Sequence, residues 1–152
     1  MRLAPASHDQ LERFFRQYFD DETLTLPRVK IHAGLFAARL TKTFKISAIT
    51  FGSRVLIAPG LFSLDDDEIL RVSGRLFAHE VTHVLQYKRV GHVRFLSRYL
   101  REYAAAWMKL GGRGAGRHWA AYRAINFEKQ ARDAEDAYVS WMRAGATRSA
   151  PV

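Results

Sequence analysis

The chain has no cysteine, which removes disulfide bonds and thiolate metal sites together. Any metal must then be held by His, Asp or Glu. No uninterrupted apolar run reaches membrane-spanning length, so no transmembrane segment is expected. The N-terminus lacks the apolar core of a secretory signal. The expectation is a cytoplasmic protein, with export by a route needing no signal peptide left open. Internal repeats and long low-complexity segments are absent as well. Acid is scarce in one place: residues 88–123 hold nine basic residues and only Glu102, which gives +8 of the net +9. Such a patch suits an anionic partner, whether nucleic acid, anionic lipid or an acidic protein. A solvated helix face followed by a basic loop is the plain alternative, and no recognised nucleic-acid motif accompanies the arginines.

What is present argues for a packed protein. Hydrophobic residues make up 48% of the chain and aromatics 12%, enough for a core and too many for disorder. A single domain over residues 1–145 with a loose tail at 146–152 is expected. Its class is α+β and predominantly helical, with a small β-hairpin or sheet packed on one long helix and a helical C-terminal half.

Ser7 can cap a first helix bearing Leu11, Phe14, Phe15 and Tyr18 on one face. Val29 and Ile31 flank Lys30 as in a short strand, and residues 33–43 read as a short helix. Residues 47–51 and 54–58 flank Gly52-Ser53, a two-residue hairpin signal. A long helix then follows. Asp65 and Glu68 have capping-box spacing, and Ile69, Leu70, Val72, Leu76, Phe77, Val81, Val84 and Leu85 recur at helical intervals. Lys88 and Arg89 suit its last turn, and Gly91 its stop. Gly74, inside this helix, marks close packing by a neighbour. Residues 92–109 form another amphipathic helix, with Phe95, Leu96, Tyr99, Leu100, Tyr103 and Trp107 as the buried stripe and Arg94, Arg98 and Arg101 opposite. A glycine-rich cationic loop spans 111–116 and a short helix 117–123. Asn126 can cap a last helix that Gly145 ends.

The chemistry lies in His79-Glu80-Val81-Thr82-His83, an H-E-x-x-H sequence in the long helix. Four residues of separation place both imidazoles on one helical face, where they can share a metal ion. Glu80 is turned about 100° from His79, off the metal but able to hold a water against it. This is the zinc-hydrolase arrangement. A catalytic zinc takes three protein ligands, and the residues leave several candidates for the third. His92 lies nine residues after His83, His118 follows the glycine-rich loop, and His32 ends the first strand. Glu128 and Glu135 lie on the last helix, where Ala131 and Ala134 permit close approach to the motif helix. Gln86, three residues after His83, can support it or simply form a polar edge. Tyr122, Arg123 and His118 are candidate donors to a tetrahedral intermediate, each with an ordinary packing or solvent role as the alternative.

Two motifs carry a family resemblance. His79 to Gln86, His-Glu-Val-Thr-His-Val-Leu-Gln, together with the preceding strand pair over residues 46–59, resembles the zinc helix of a group of small metallopeptidases. Ile125-Asn126-Phe127-Glu128-Lys129-Gln130-Ala131 resembles that group's second motif, N/P-x-E-x-x-A. The group is the extracellular contractile injection system (eCIS) core domain family, of minigluzincin type, and the resemblance covers about residues 28–140. It implies one Zn2+ per chain held by His79, His83 and Glu128, with Glu80 as general base of a zinc-dependent metallopeptidase. A protein or peptide substrate would lie along the open edge of the hairpin strand. The alternative implied is a zinc-containing binding or delivery module without proteolytic activity, associated with a contractile injection system. The arginine-rich insert between the motifs departs from the pattern, and the sequence sets no oligomeric state.

Overall fold

The computed structural model describes residues 5–44, 46–64, 70–111 and 114–148. Helix α1 (Pro5–Phe19) is followed by β1 (Lys30–His32), α2 (Leu35–Phe44), β2 (Ala48–Phe51) and β3 (Arg54–Ile57). A small pair, β4 (Phe62–Leu64) and β5 (Leu70–Val72), precedes four helices: α3 (Gly74–Val90), α4 (His92–Lys109), α5 (Ala115–Ala124) and α6 (Asn126–Arg148). The class is the expected one, a small sheet packed on the motif helix and a helical C-terminal half. No helix among the described residues is long and apolar enough to cross a membrane.

The main sheet is mixed, in the order β1-β3-β2. β3 lies centrally, parallel to β1 with Ile31 opposite Val55, and antiparallel to β2 with Thr50 opposite Val55. β2 is therefore an edge strand. The hairpin expected at Gly52-Ser53 is present, and Gly52 takes φ +60° there. Val55 and Ile57 point into the main core with Ile31, where Phe14 and Phe15 of α1 and Phe77, Val81 and Val84 of α3 meet them. Alternation in β3 and the i, i+3/i+4, i+7 spacing in α3 build one apolar layer between sheet and helix. A second cluster, Tyr87, Phe95, Ile125 and Phe127, joins α3, α4 and the start of α6.

The structure corrects several boundaries. The motif helix does not begin near Asp65. Leu70–Val72 form β5, and α3 starts at Gly74. Leu70 and Val72 are in register with Leu64 and Phe62 on the neighbouring strand, so a short strand had blended into the helical periodicity after it. The capping-box residues Asp65 and Glu68 lie outside the described residues. α1 begins at Pro5, ahead of Ser7, and proline suits a first turn. Asn126 is the first residue of α6 rather than its cap: the Glu102 carboxylate accepts the Asn126 N–H at 2.7 Å. A carboxylate there also complements the positive end of α6. Arg98 in turn donates to Glu102 at 2.8 Å. Gly145 does not stop α6, which continues to Arg148; a glycine inside a helix weakens it but ends it only where the next residues supply a cap. α5 starts at Ala115 and absorbs the end of the glycine-rich loop, of which 112 and 113 lie outside the described residues. In α4, Phe95 is buried but Leu96 and Leu100 of the expected buried stripe are exposed.

Gly91 does end α3, at φ +82°, with its N–H on the Tyr87 carbonyl at 2.9 Å. The same residue starts α4, so the two helices meet without a loop. Gly74 is the first residue of α3 rather than interior, and the close packing expected of it is real. A Cβ there would stand 2.9 Å from Cε1 and Oη of Tyr138 on α6. Tyr138 cannot swing aside, because its ring is wedged edge-on against Phe14 at 5.1 Å and stacked on Trp141. Gly74→Ala is expected to destabilise the fold by about 1–3 kcal/mol through overpacking, despite alanine's better helix propensity. Urea unfolding measures it, and equal or higher stability would show that α3 and α6 have slack at this crossing.

Candidate metal centre

α3 and α6 lie against each other with Ala78, Val81, Ala131 and Ala134 between them, all fully buried. The small residues allow the close approach that a shared site needs. From α3, His79 and His83 project on one face, their ring centroids 5.0 Å apart. From the first turn of α6, the Glu128 carboxylate enters between them. Oε2 lies 3.4 Å from His79 Nε2, and Oε1 lies 3.3 Å from His83 Nε2. The two imidazoles thus each approach a different oxygen of one carboxylate, at separations close to the ~3.4 Å between neighbouring donors around a tetrahedral zinc. His79, His83 and Glu128 form the one group among the described residues whose donor atoms converge closely enough to hold a metal ion.

The surroundings aim those donors. His79 Nδ1 lies 3.1 Å from Glu135 Oε2, and Arg75 donates to the other oxygen of Glu135 at 2.6 Å. His83 Nδ1 lies 2.8 Å from Gln86 Oε1. With both Nδ1 atoms carrying the ring proton, both Nε2 lone pairs face the centre, as metal-binding imidazoles require. Gln86 is itself fixed, donating to the Phe127 carbonyl and to Gln130 Oε1, each at 3.1 Å. It supports His83 and is no mere polar edge.

Charge tells the same story. Glu128 is 2% exposed, and its Oε2 is buried with no hydrogen-bond partner, while Tyr99 donates to Oε1 at 2.9 Å. Burial pushes its carboxyl up, but the close approach of His79 and His83, the His83 charge and Tyr122 hold it well below the ordinary carboxylate range. Burial likewise pushes His83 down, and the bond and charge of Glu128, with Glu80 and Gln86, reverse the sign and raise it. Tyr99 and Tyr122 are pushed far up by burial and then by Glu128, so both stay neutral donors. A buried anion between two imidazoles calls for a cation at the point they share: a metal ion, or a proton when none is bound. The donor set fits zinc in softness and geometry.

The other candidates fall elsewhere. Glu135 sits behind His79 as its partner rather than at the shared point. His92 packs over the Gly52 turn, where a Cβ on Gly52 would meet its Nε2 at 2.5 Å, and between Phe51 and Tyr87. His118 is paired through Nδ1 with Tyr103 Oη at 2.9 Å. His32 is exposed on β1. Glu80 is 4% exposed, and its Oε2 accepts a 2.6 Å bond from Thr50 on the edge strand β2. Of the candidate polar donors, Tyr122 borders the site through Glu128, whereas Arg123 is exposed. Sequence reasoning missed Tyr99 and Thr50. Tyr99 was hidden in an aromatic stripe, and nothing local in Ala48–Phe51 singles out the threonine.

Residues 3–91 match the family described as the eCIS core domain. The chain belongs to the eCIS core domain family. Comparison with curated proteins and with solved structures gave no match. The eCIS core match holds His79, Glu80 and His83; it begins ahead of the expected span of about 28–140 and stops at Gly91, before the second motif. Glu128 therefore joins the site by geometry, from a helix beyond the matched segment.

Metal titration separates these roles. Glu128→Ala and His83→Ala are expected to lose binding almost completely. Glu135→Ala and Gln86→Ala should weaken it about 10–100-fold, as removal of an outer partner does. A Glu135→Ala loss as complete as that of Glu128→Ala would move the third ligand to Glu135.

Proposed function

We propose that this chain is a zinc-containing binding or delivery module associated with a contractile injection system, with one Zn2+ held by His79, His83 and Glu128. The family membership supports the setting. The observation that supports the role of the metal is the buried Oε2 of Glu128, which accepts no hydrogen bond and has His79 Nε2 beside it at 3.4 Å, on a helix outside the matched segment. In this reading the centre clamps α6 to the family core. Glu128 supplies the charge, Glu135 and Gln86 orient the two imidazoles, and Tyr99 holds the carboxylate from α4. A ligand held at a thousand times its Kd adds about 4 kcal/mol, worth about 10 °C of melting temperature in a chain of this size.

A second reading is favoured by a specific observation, the position of Glu80. Structural zinc sites are closed by four protein ligands, whereas three converge here among the described residues. Beside them lies a buried carboxylate that a purely structural site would not need. A bound zinc ion supplies Lewis acidity, polarising a carbonyl and bringing the pKa of a water towards neutrality. Glu80 would take the proton on Oε1 while Thr50 fixes Oε2, and would return it to the leaving amine. The outer edge of β2 offers backbone groups to an extended peptide, and its Thr50 links that edge to the base. On this reading the chain is a gluzincin-type metallopeptidase.

Glu80→Gln decides between them. In the module reading the variant keeps metal, melting temperature and partner binding, neither protein cleaves a quenched-peptide library, and chelation lowers the melting temperature of both by about 10 °C. Wild-type cleavage that falls about 10²–10⁴-fold in Glu80→Gln with metal retained would establish the peptidase instead.

A further inference from the structure

α4 is amphipathic twice over. Phe95 and Tyr99 face inward, but a second apolar row faces out: Val93 is 80% exposed, Leu100 63% and Met108 76%, with Leu96 beside them. Their spacing keeps them on one helical face over about 22 Å. Next to this row Arg94, Arg98 and Arg101 follow one another at i, i+4 and i+7. With Arg89 from the last turn of α3 they line a concavity of about 400 Å3 floored by Val90 and Phe127. Arg98 is held over the Phe127 ring at 5.0 Å and paired with Glu102. Arg89, Arg94 and Arg101 have no carboxylate partner among the described residues, so their charge is available to something outside the chain.

We propose that this face of α4, with Arg89 at its head, docks on an anionic lipid bilayer. The aliphatic row enters the boundary between headgroups and acyl chains, and the arginines meet the lipid phosphates. The two rows together select the occupant. A nucleic acid would satisfy the arginines but offers no apolar surface to Val93, Leu100 and Met108. A second copy would cover the aliphatic row only by bringing two unpaired arginine rows together. An anionic membrane satisfies both, and binding then grows with inserted apolar area and with headgroup charge. The inference is independent of the metal centre, because none of these side chains touches His79, His83 or Glu128.

Flotation of the zinc-loaded chain with vesicles tests it. Wild type should float with phosphatidylcholine–phosphatidylglycerol vesicles, remain unbound with phosphatidylcholine alone, and release as salt rises. Arg89→Gln/Arg94→Gln/Arg101→Gln, which spares the Arg98–Glu102 pair, should bind on the order of a hundredfold more weakly. Val93→Ser/Leu100→Ser/Met108→Ser should lose at least about tenfold with unchanged metal content. Should that triple variant fail to fold, Val93→Ser/Leu100→Ser supplies the same comparison. Absence of vesicle binding, or equal binding to neutral vesicles, overturns the proposal. So does binding that needs the arginines but ignores the aliphatic row, which would make the face a site for a soluble polyanion such as nucleic acid. An apolar variant that turns a wild-type dimer into a monomer, without vesicle binding, overturns it in favour of a second copy.

Discussion

A carboxylate buried between two imidazoles governs this molecule. Glu128 is almost wholly withdrawn from water, and a lone charge there would be very costly. Everything around it reduces that cost. Tyr99 reaches it from α4, Tyr122 from α5, and His79 and His83 flank it from α3. Three helices thus converge on one side chain of a fourth.

The apolar architecture makes this convergence possible. Glycine at position 74 and alanines at 78, 131 and 134 bring α3 and α6 together, while Tyr138, Phe14 and Trp141 fix the crossing at the far end. Gly91 turns α3 directly into α4, which carries Tyr99 to the site and Glu102 to the start of α6. The sheet contributes through its edge: Thr50 on β2 binds Glu80, so the strand beside the site and the acid beside the ions' donors are tied by one hydroxyl.

Legibility in the sequence followed the range of the forces. The H-E-x-x-H spacing is local, and two of the three converging donors could be read from helical geometry alone. The hairpin at Gly52-Ser53 and the stop at Gly91 were equally local, because each rests on what glycine permits. Glu128 was reachable through its small neighbours and the resemblance of its motif, yet spacing alone left Glu135 and three histidines beside it. Separating them required knowing which turn of α6 faces His79. Tyr99 and Thr50 were out of reach, since a tyrosine in an aromatic stripe and a threonine in a strand look the same whether or not a carboxylate waits opposite. The start of α3 was misplaced for a related reason. Three alternating residues are too few to declare a strand when a helix of matching hydrophobicity follows.

The Gln86 bridge has a consequence for the order of events during folding. Its oxygen sets the tautomer of His83, while its amide rests on the Phe127 carbonyl and on Gln130 in the first turn of α6. The turn that brings the Glu128 donor therefore also restrains the helix-borne imidazole opposite. Both halves are fully organised only with α6 docked, because the bonds that fix them join residues about forty positions apart along the chain. Any ion held by these donors would thus be captured late, with the docking of α6. An ion bound there would be released on unfolding and could reload only after the last helix had returned.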